Sequence, residues 1–117
     1  MSRYPTATIK GVESGASFYT NMKIYLSGPI TGQDDPHGVF KRYKERLQKE
    51  FPDAVIINPL DNGVPFESPW EDHLKADIRN LVGCDAIWFI PGWIGSKGCM
   101  LEYTVATECG LKLETFR

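Results

Sequence analysis

No apolar run in this 117-residue chain approaches the roughly 20 residues that a membrane-spanning helix needs. Residues Met1 to Thr20 are mostly small and polar and carry no signal-peptide core. Charge of one sign is also scarce. Thirteen Lys and Arg stand against 15 Asp and Glu, a net of −2, which gives neither nucleic acid nor an anionic membrane a basic surface to bind. The three cysteines, Cys84, Cys99 and Cys109, are odd in number and irregularly spaced. They match neither a disulfide framework nor a zinc site, and fit the reduced core thiols of a cytoplasmic protein. The two histidines, His37 and His73, are expected to be exposed and build no Ser-His-Asp or Cys-His arrangement. Phosphate signatures are missing as well: there is no GxGxxG and no GxxxxGK followed by Ser or Thr. Nothing in these patterns calls for a metal or an organic cofactor.

What is present is an ordinary globular composition, 42% hydrophobic and 24% charged, at a length that makes one domain. Met1 to Asn21 shows no sustained period and is expected to be a poorly ordered extension. Met22 directly precedes the first strand, so the domain is expected over residues 22–117. Ile24, Tyr25 and Leu26 form a short β-prone run that Ser27, Gly28 and Pro29 stop abruptly, and Thr31-Gly32 keeps the next turn open. Glycines after a strand let backbone N–H groups approach a ligand, which suits phosphate or ribose; a plain strand-to-loop turn is the alternative.

From Gly38 the period changes. Phe40, Tyr43, Leu47 and Phe51 fall on one helical stripe, ended by Pro52. Ala54–Ile57 is an all-apolar strand of the kind buried on both faces of a parallel sheet, terminated by Asn58-Pro59. A Pro- and Gly-containing loop, 60–69, precedes a helix from Trp70 to Val82 closed by Gly83. Asp85–Ile90 is a third buried strand, with Asp85 in a structural role and Trp88 in the core. Trp93–Lys97 is a second glycine-containing loop, followed by a helix over 98–110 and a last strand over 111–116. This β-α-β alternation predicts an α/β fold, a small doubly wound (Rossmann- or flavodoxin-like) parallel sheet of four to five strands flanked by helices. Ligands in such folds sit beyond the C-terminal strand ends. Here Ser27-Gly28, Asn58-Pro59 and Pro91-Gly92 mark one crevice.

Two carboxylates stand where apolar side chains belong. At ~100° per residue, Asp77 falls on the Trp70–Leu74–Leu81 stripe. Glu102 falls within the arc of Leu101, Val105, Ala106 and Cys109. An inward carboxylate is costly unless paired, hydrogen-bonded or used. One reading pairs them structurally, with backbone groups or with Lys75 or Lys97. The other uses them together, Glu102 ionised near its helix N-terminus and Asp77 holding a proton, as in cleavage of a glycosidic bond. Trp93, in a loop at a strand end, is a candidate for stacking on a base.

Tyr25 with Ser27-Gly28-Pro29-Ile30, Asp77 eight residues before Asp85, and Ser96-x-Gly98-x3-Glu102 resemble the nucleoside 2-deoxyribosyltransferase superfamily. The branch of deoxynucleoside 5′-monophosphate N-glycosidases is the more similar, and small bacterial and phage proteins of unassigned function more similar still. The resemblance runs from Met22 to about Leu113. It implies a nucleophile at Glu102 attacking C1′, an aspartate at Asp77 assisting proton transfer to the leaving base, and Tyr25 orienting the glutamate. It also implies Ser96 and Gly98 near a 5′-phosphate, at a helix N-terminus that suits an anion. The crevice loop residues, Ser27, Gly28, Pro29, Ile30, Gly32 and Asn58, would line the substrate. The implied partner is a nucleoside or nucleotide, and the implied assembly a homodimer or higher homo-oligomer, with Phe40, Tyr43, Phe66 and Trp70 as interface candidates. Two departures stand out: the phosphate loop lacks an arginine found in some relatives, and the residue that family members draw from a neighbouring subunit, from a segment beyond the last strand, is not placed in this sequence. Hydrolysis, transfer to a second base, and a nucleotide-binding module without chemistry all stay open at this level.

Overall fold

The computed structural model describes residues 21–117, so the expected N-terminal extension lies outside the described residues apart from Asn21. Four strands form one parallel sheet: β1 (Lys23–Ser27), β2 (Val55–Ile57), β3 (Ala86–Phe89) and β4 (Lys112–Thr115), in the order β2-β1-β3-β4. Three helices connect them: α1 (Pro36–Glu50), α2 (Trp70–Val82) and α3 (Lys97–Glu108). The chain is thus α/β with a Rossmann-like architecture, and the strand order reverses between β1 and β3.

Side chains alternate across a strand, and β1 shows what that alternation does. Ile24 and Leu26 face one side, where they pack with Phe40 and Leu47 of α1, Phe51, Ile56 and Ile90. Tyr25 faces the other side and packs with Leu81, Ile87, Phe89 and Ala106 under α2 and α3. The register Tyr25↔Ile57 and Tyr25↔Ile87 sets Tyr25 in the middle of the sheet. Of the interface candidates from the sequence, Phe40 belongs to the core of the α1 face, where Tyr43 is half-buried. Phe40 is fully buried, and the Tyr43 ring lies 4.6 Å from that of Phe116.

Helix α1 begins two residues earlier than the stripe suggests, because Pro36 suits the first helical turn and the Asp35 carboxylate accepts from Gly38 N–H at 3.1 Å. Strand β2 lies at the sheet edge, which leaves Val55 49% exposed where burial on both faces was expected. In α3 the buried line is Cys99, Glu102 and Ala106, spaced i, i+3, i+7. Leu101 lies off that line and is 39% exposed, while Cys109, exposed, is already the C-cap. The expected arc was right about Glu102 and Ala106 and wrong about these two. Asp85 is structural as expected, accepting from Lys23 N–H at 2.9 Å.

Candidate active site

Ser27 is two residues beyond Tyr25, so both side chains leave β1 on the α2/α3 face. Glu102 comes down from the second turn of α3 to meet them. Tyr25 Oη donates to Glu102 Oε2 at 2.6 Å, and Ser27 Oγ donates to Oε1 at 2.7 Å. Each carboxylate oxygen thus has its own hydroxyl donor, and the whole group is buried. Burial is the largest influence on Glu102 and raises its pKa to about 7. The Tyr25 and Ser27 hydrogen bonds oppose that rise, and the charge of Asp77 adds to it. Burial, followed by the Glu102 charge, pushes the Tyr25 phenol well above its ordinary range, so it stays a donor.

A cavity of about 670 Å³ opens above this cluster. Glu102, Asp77, Cys99, Ser96 and Gly98 line it from the helices, Gly28, Ile30 and Gly32 from the first loop, and Phe66, Trp70 and His73 from its outer side. Gly28 is needed here: a Cβ would come within 2.9 Å of the Ile90 side chain. Asp77 is half-buried, and burial raises its pKa against the opposing effects of an Asn62 hydrogen bond and of His73. Burial thus favours the proton on both carboxyls, Glu102 included, where the sequence reading expected Glu102 to be readily ionised. The helix N-terminus does not outweigh the burial of Glu102, which has the strongly raised value.

Other sequence expectations sort cleanly. Ser96 caps α3, its Oγ accepting from Cys99 N–H at 3.3 Å, and both Ser96 and Gly98 lie on the cavity wall. Ser27 acts on Glu102 rather than lining the cavity. Asn58 does not line it either. Its Oδ1 accepts from Leu60 N–H at 3.0 Å and caps the turn Pro59–Asp61, which presents Pro59 and Leu60 in its place. Pro29 turns toward the neighbouring loop, its Cγ 3.4 Å from where a Gly92 Cβ would sit. Trp93 is also elsewhere: its ring is stacked at 4.3 Å on Phe89 and at 5.6 Å on Tyr103. Gly92, at φ 96°, turns the chain so that Trp93 folds back on the sheet. The aromatic rings at the cavity are Phe66 and Trp70, 77% and 47% exposed.

Among the cavity residues that escaped the sequence, two touch Asp77 directly or through one another. His73 is half-buried, not exposed, and Asn62 joins it to Asp77. The spacing of His73 and Asp77, one helical turn apart on one face, was the available signal for the histidine; Asn62 sits in a loop, where no period exists to betray it.

A crevice walled by two inward carboxyls lies beyond the C-terminal strand ends of this Rossmann-like domain, where ligands sit in such folds. The chain belongs to the family described as "Domain of unknown function (DUF4406)", which matches residues 22–115 and is nucleoside 2-deoxyribosyltransferase-like. Among solved structures, a 2-desoxiribosyltransferase from Leishmania mexicana is similar, with 27% identity and a TM-score of 0.62 over 81% of this chain. The match spans 63% of that protein's chain, less than two thirds of its length. No curated protein sequence matches the chain significantly. No described helix is long and apolar enough to cross a membrane.

Proposed function

We propose that the protein breaks the N-glycosidic bond of a 2′-deoxynucleoside, or of its 5′-monophosphate, through a covalent deoxyribosyl–Glu102 intermediate. The observation that carries this reading is the clamp on Glu102, with one hydroxyl on each carboxylate oxygen, at the wall of a cavity that Asp77 shares. Held by two donors, the carboxylate has one orientation toward an incoming C1′. In the first step a Glu102 oxygen bonds to C1′ while the C1′–N bond breaks. The bond's electron pair goes to the base nitrogen, and the Asp77 carboxyl gives the base its proton. In the second step water, or the nitrogen of another base, bonds to C1′ and frees Glu102, and its proton returns to Asp77. Two displacements at one carbon give net retention.

The reactive arrangement has Glu102 ionised and Asp77 protonated, and burial favours the neutral form of both carboxyls. A base that accepts a hydrogen bond from protonated Asp77 favours that state, which couples substrate binding to activation. The cavity wall carries Asp34, Asp77 and Glu102 and, among the described residues, no Lys or Arg. That charge favours an uncharged nucleoside over its monophosphate. Lys97, the first residue of α3, has its Nζ 5.0 Å above the ring of Trp70, which lines the cavity. Self-association, implied by the family resemblance, is part of the same reading, with Tyr43, Phe66 and Trp70 as the interface candidates outside the core; sedimentation measures it directly.

The test is incubation with a panel of 2′-deoxynucleosides and their 5′-monophosphates, followed by chromatography of the released base. Free base identifies hydrolysis, and exchange with an added second base identifies transfer. Turnover of nucleosides but not monophosphates is expected from the wall charge. Silence across the panel from folded protein contradicts the proposal and favours a nucleotide-binding module.

A further inference from the structure

The loop before α2 carries a network that the chemistry above does not use. Asn62 Oδ1 accepts from Val64 N–H at 2.9 Å, which fixes the amide so that Nδ2 faces inward. Nδ2 then lies 3.0 Å from Asp77 Oδ1 and 3.2 Å from His73 Nδ1. An amide nitrogen has only protons to offer, so both neighbours must be acceptors. His73 Nδ1 is therefore bare, and its proton is on Nε2, where Phe66 O accepts at 3.2 Å. One tautomer satisfies every contact. A proton on Nδ1 would set two donors against each other and release Asn62.

We propose that Asn62 and His73 are positioning residues for Asp77: His73 aims the Asn62 amide, and Asn62 ties Asp77 Oδ1, leaving Oδ2 to face the substrate. This inference rests on the role given to Asp77 in the proposed function. It extends that role to a loop residue and a histidine that touch Asp77 directly or through one amide. The tie also favours the ionised carboxylate and so opposes the effect of burial. His73, on the same helix, acts on Asp77, and the Asp77 charge in turn acts on Glu102 of α3 and Tyr25 of β1. The Phe66 contact makes the same histidine a tether for the exposed rim of the cavity.

The experiment is nuclear magnetic resonance of the full chain with labelled histidine rings and aspartate carboxyls, run beside turnover. The His73 ring is expected to show a protonated Nε2 and a bare Nδ1. In Asn62→Ala the Asp77 carboxyl carbon titrates at higher pH than in the parent. His73→Leu, which spares the Asn62–Val64 turn, moves it the same way. His73→Asn puts an amide oxygen where Nδ1 lay and retains the parent titration. With an active substrate, kcat in Asn62→Ala falls about 10- to 100-fold while KM changes less than about threefold. A proton on Nδ1, or an Asp77 titration that stays in place in both Asn62→Ala and His73→Leu, overturns the inference. The spectra need no turnover, so a failure of the glycosidic reading leaves this result separately readable. Conversely, full activity in Asp77→Asn removes the proposed acid while leaving the observed tie intact.

Discussion

The two faces of the sheet, both served by alternate residues of β1, differ in what they bury. Toward α1 lie Ile24, Leu26, Phe40 and Leu47, all fully buried and apolar. Toward α2 and α3 the next residues of the same strand, Tyr25 and Ser27, hold a buried glutamate. Burial on the first face stabilises the fold at about 25 cal/mol per Å² of apolar area removed from water. Burial on the second strains it, since a carboxyl is kept from water and pushed toward neutrality. A period of two lets one strand serve both ends, with an apolar face backing the face that holds the buried glutamate.

The sharpest way to break the comparison is to act on one face alone. Glu102→Ala is expected to lower kcat/KM at least about 10³-fold while ligand binding persists, read by turnover and by calorimetry. Phe40→Ala on the opposite face should destabilise the fold by about 3–5 kcal/mol in denaturant unfolding, with little change in Glu102 chemistry at temperatures where the variant is folded. Next comes a stabilising substitution. Because the folded-state pKa of Glu102 lies above its unfolded value, the folded protein holds an extra proton between about 4.5 and 7, and stability is lost as pH rises through that window. Glu102→Gln removes this loss. It should unfold later than the parent at pH 8, by about 3 kcal/mol at most, with the gain vanishing near pH 4. The smallest effect is Tyr25→Phe, which keeps the Ser27 donor. Activity should fall about tenfold, and the limb of the pH–rate profile that reports Glu102 ionisation should move to higher pH, because a hydrogen bond that favoured the carboxylate is gone.

Much of the fold was legible because its signals are periodic. The strand apolar runs, the α1 stripe and the α2 span over Trp70–Val82 all carry over with ends moved by a residue or two. Glu102 and Asp77 were legible for the same reason, as polar residues breaking an apolar period. The misses share a different cause. Trp93, Asn58 and Pro29 were placed by their position near strand ends, but in a loop the direction of a side chain depends on individual turns, such as the left-handed Gly92. Asn62 offered no periodic signal at all. Phe40 and Phe66 look alike in sequence, and only the fold separates a core ring from an exposed one. The raised pKa of Glu102 was missed because a helix N-terminus is visible in sequence, whereas the depth of burial that outweighs it is a product of the packed sheet.

The most direct measurement is the mass of the protein after acid quenching during turnover of a 2′-deoxynucleoside. A deoxyribosyl adduct that maps to the peptide carrying Glu102, and that is missing in Glu102→Gln, is the predicted result. Turnover by the parent with no adduct, or an adduct on another residue, would contradict the role of the clamped glutamate.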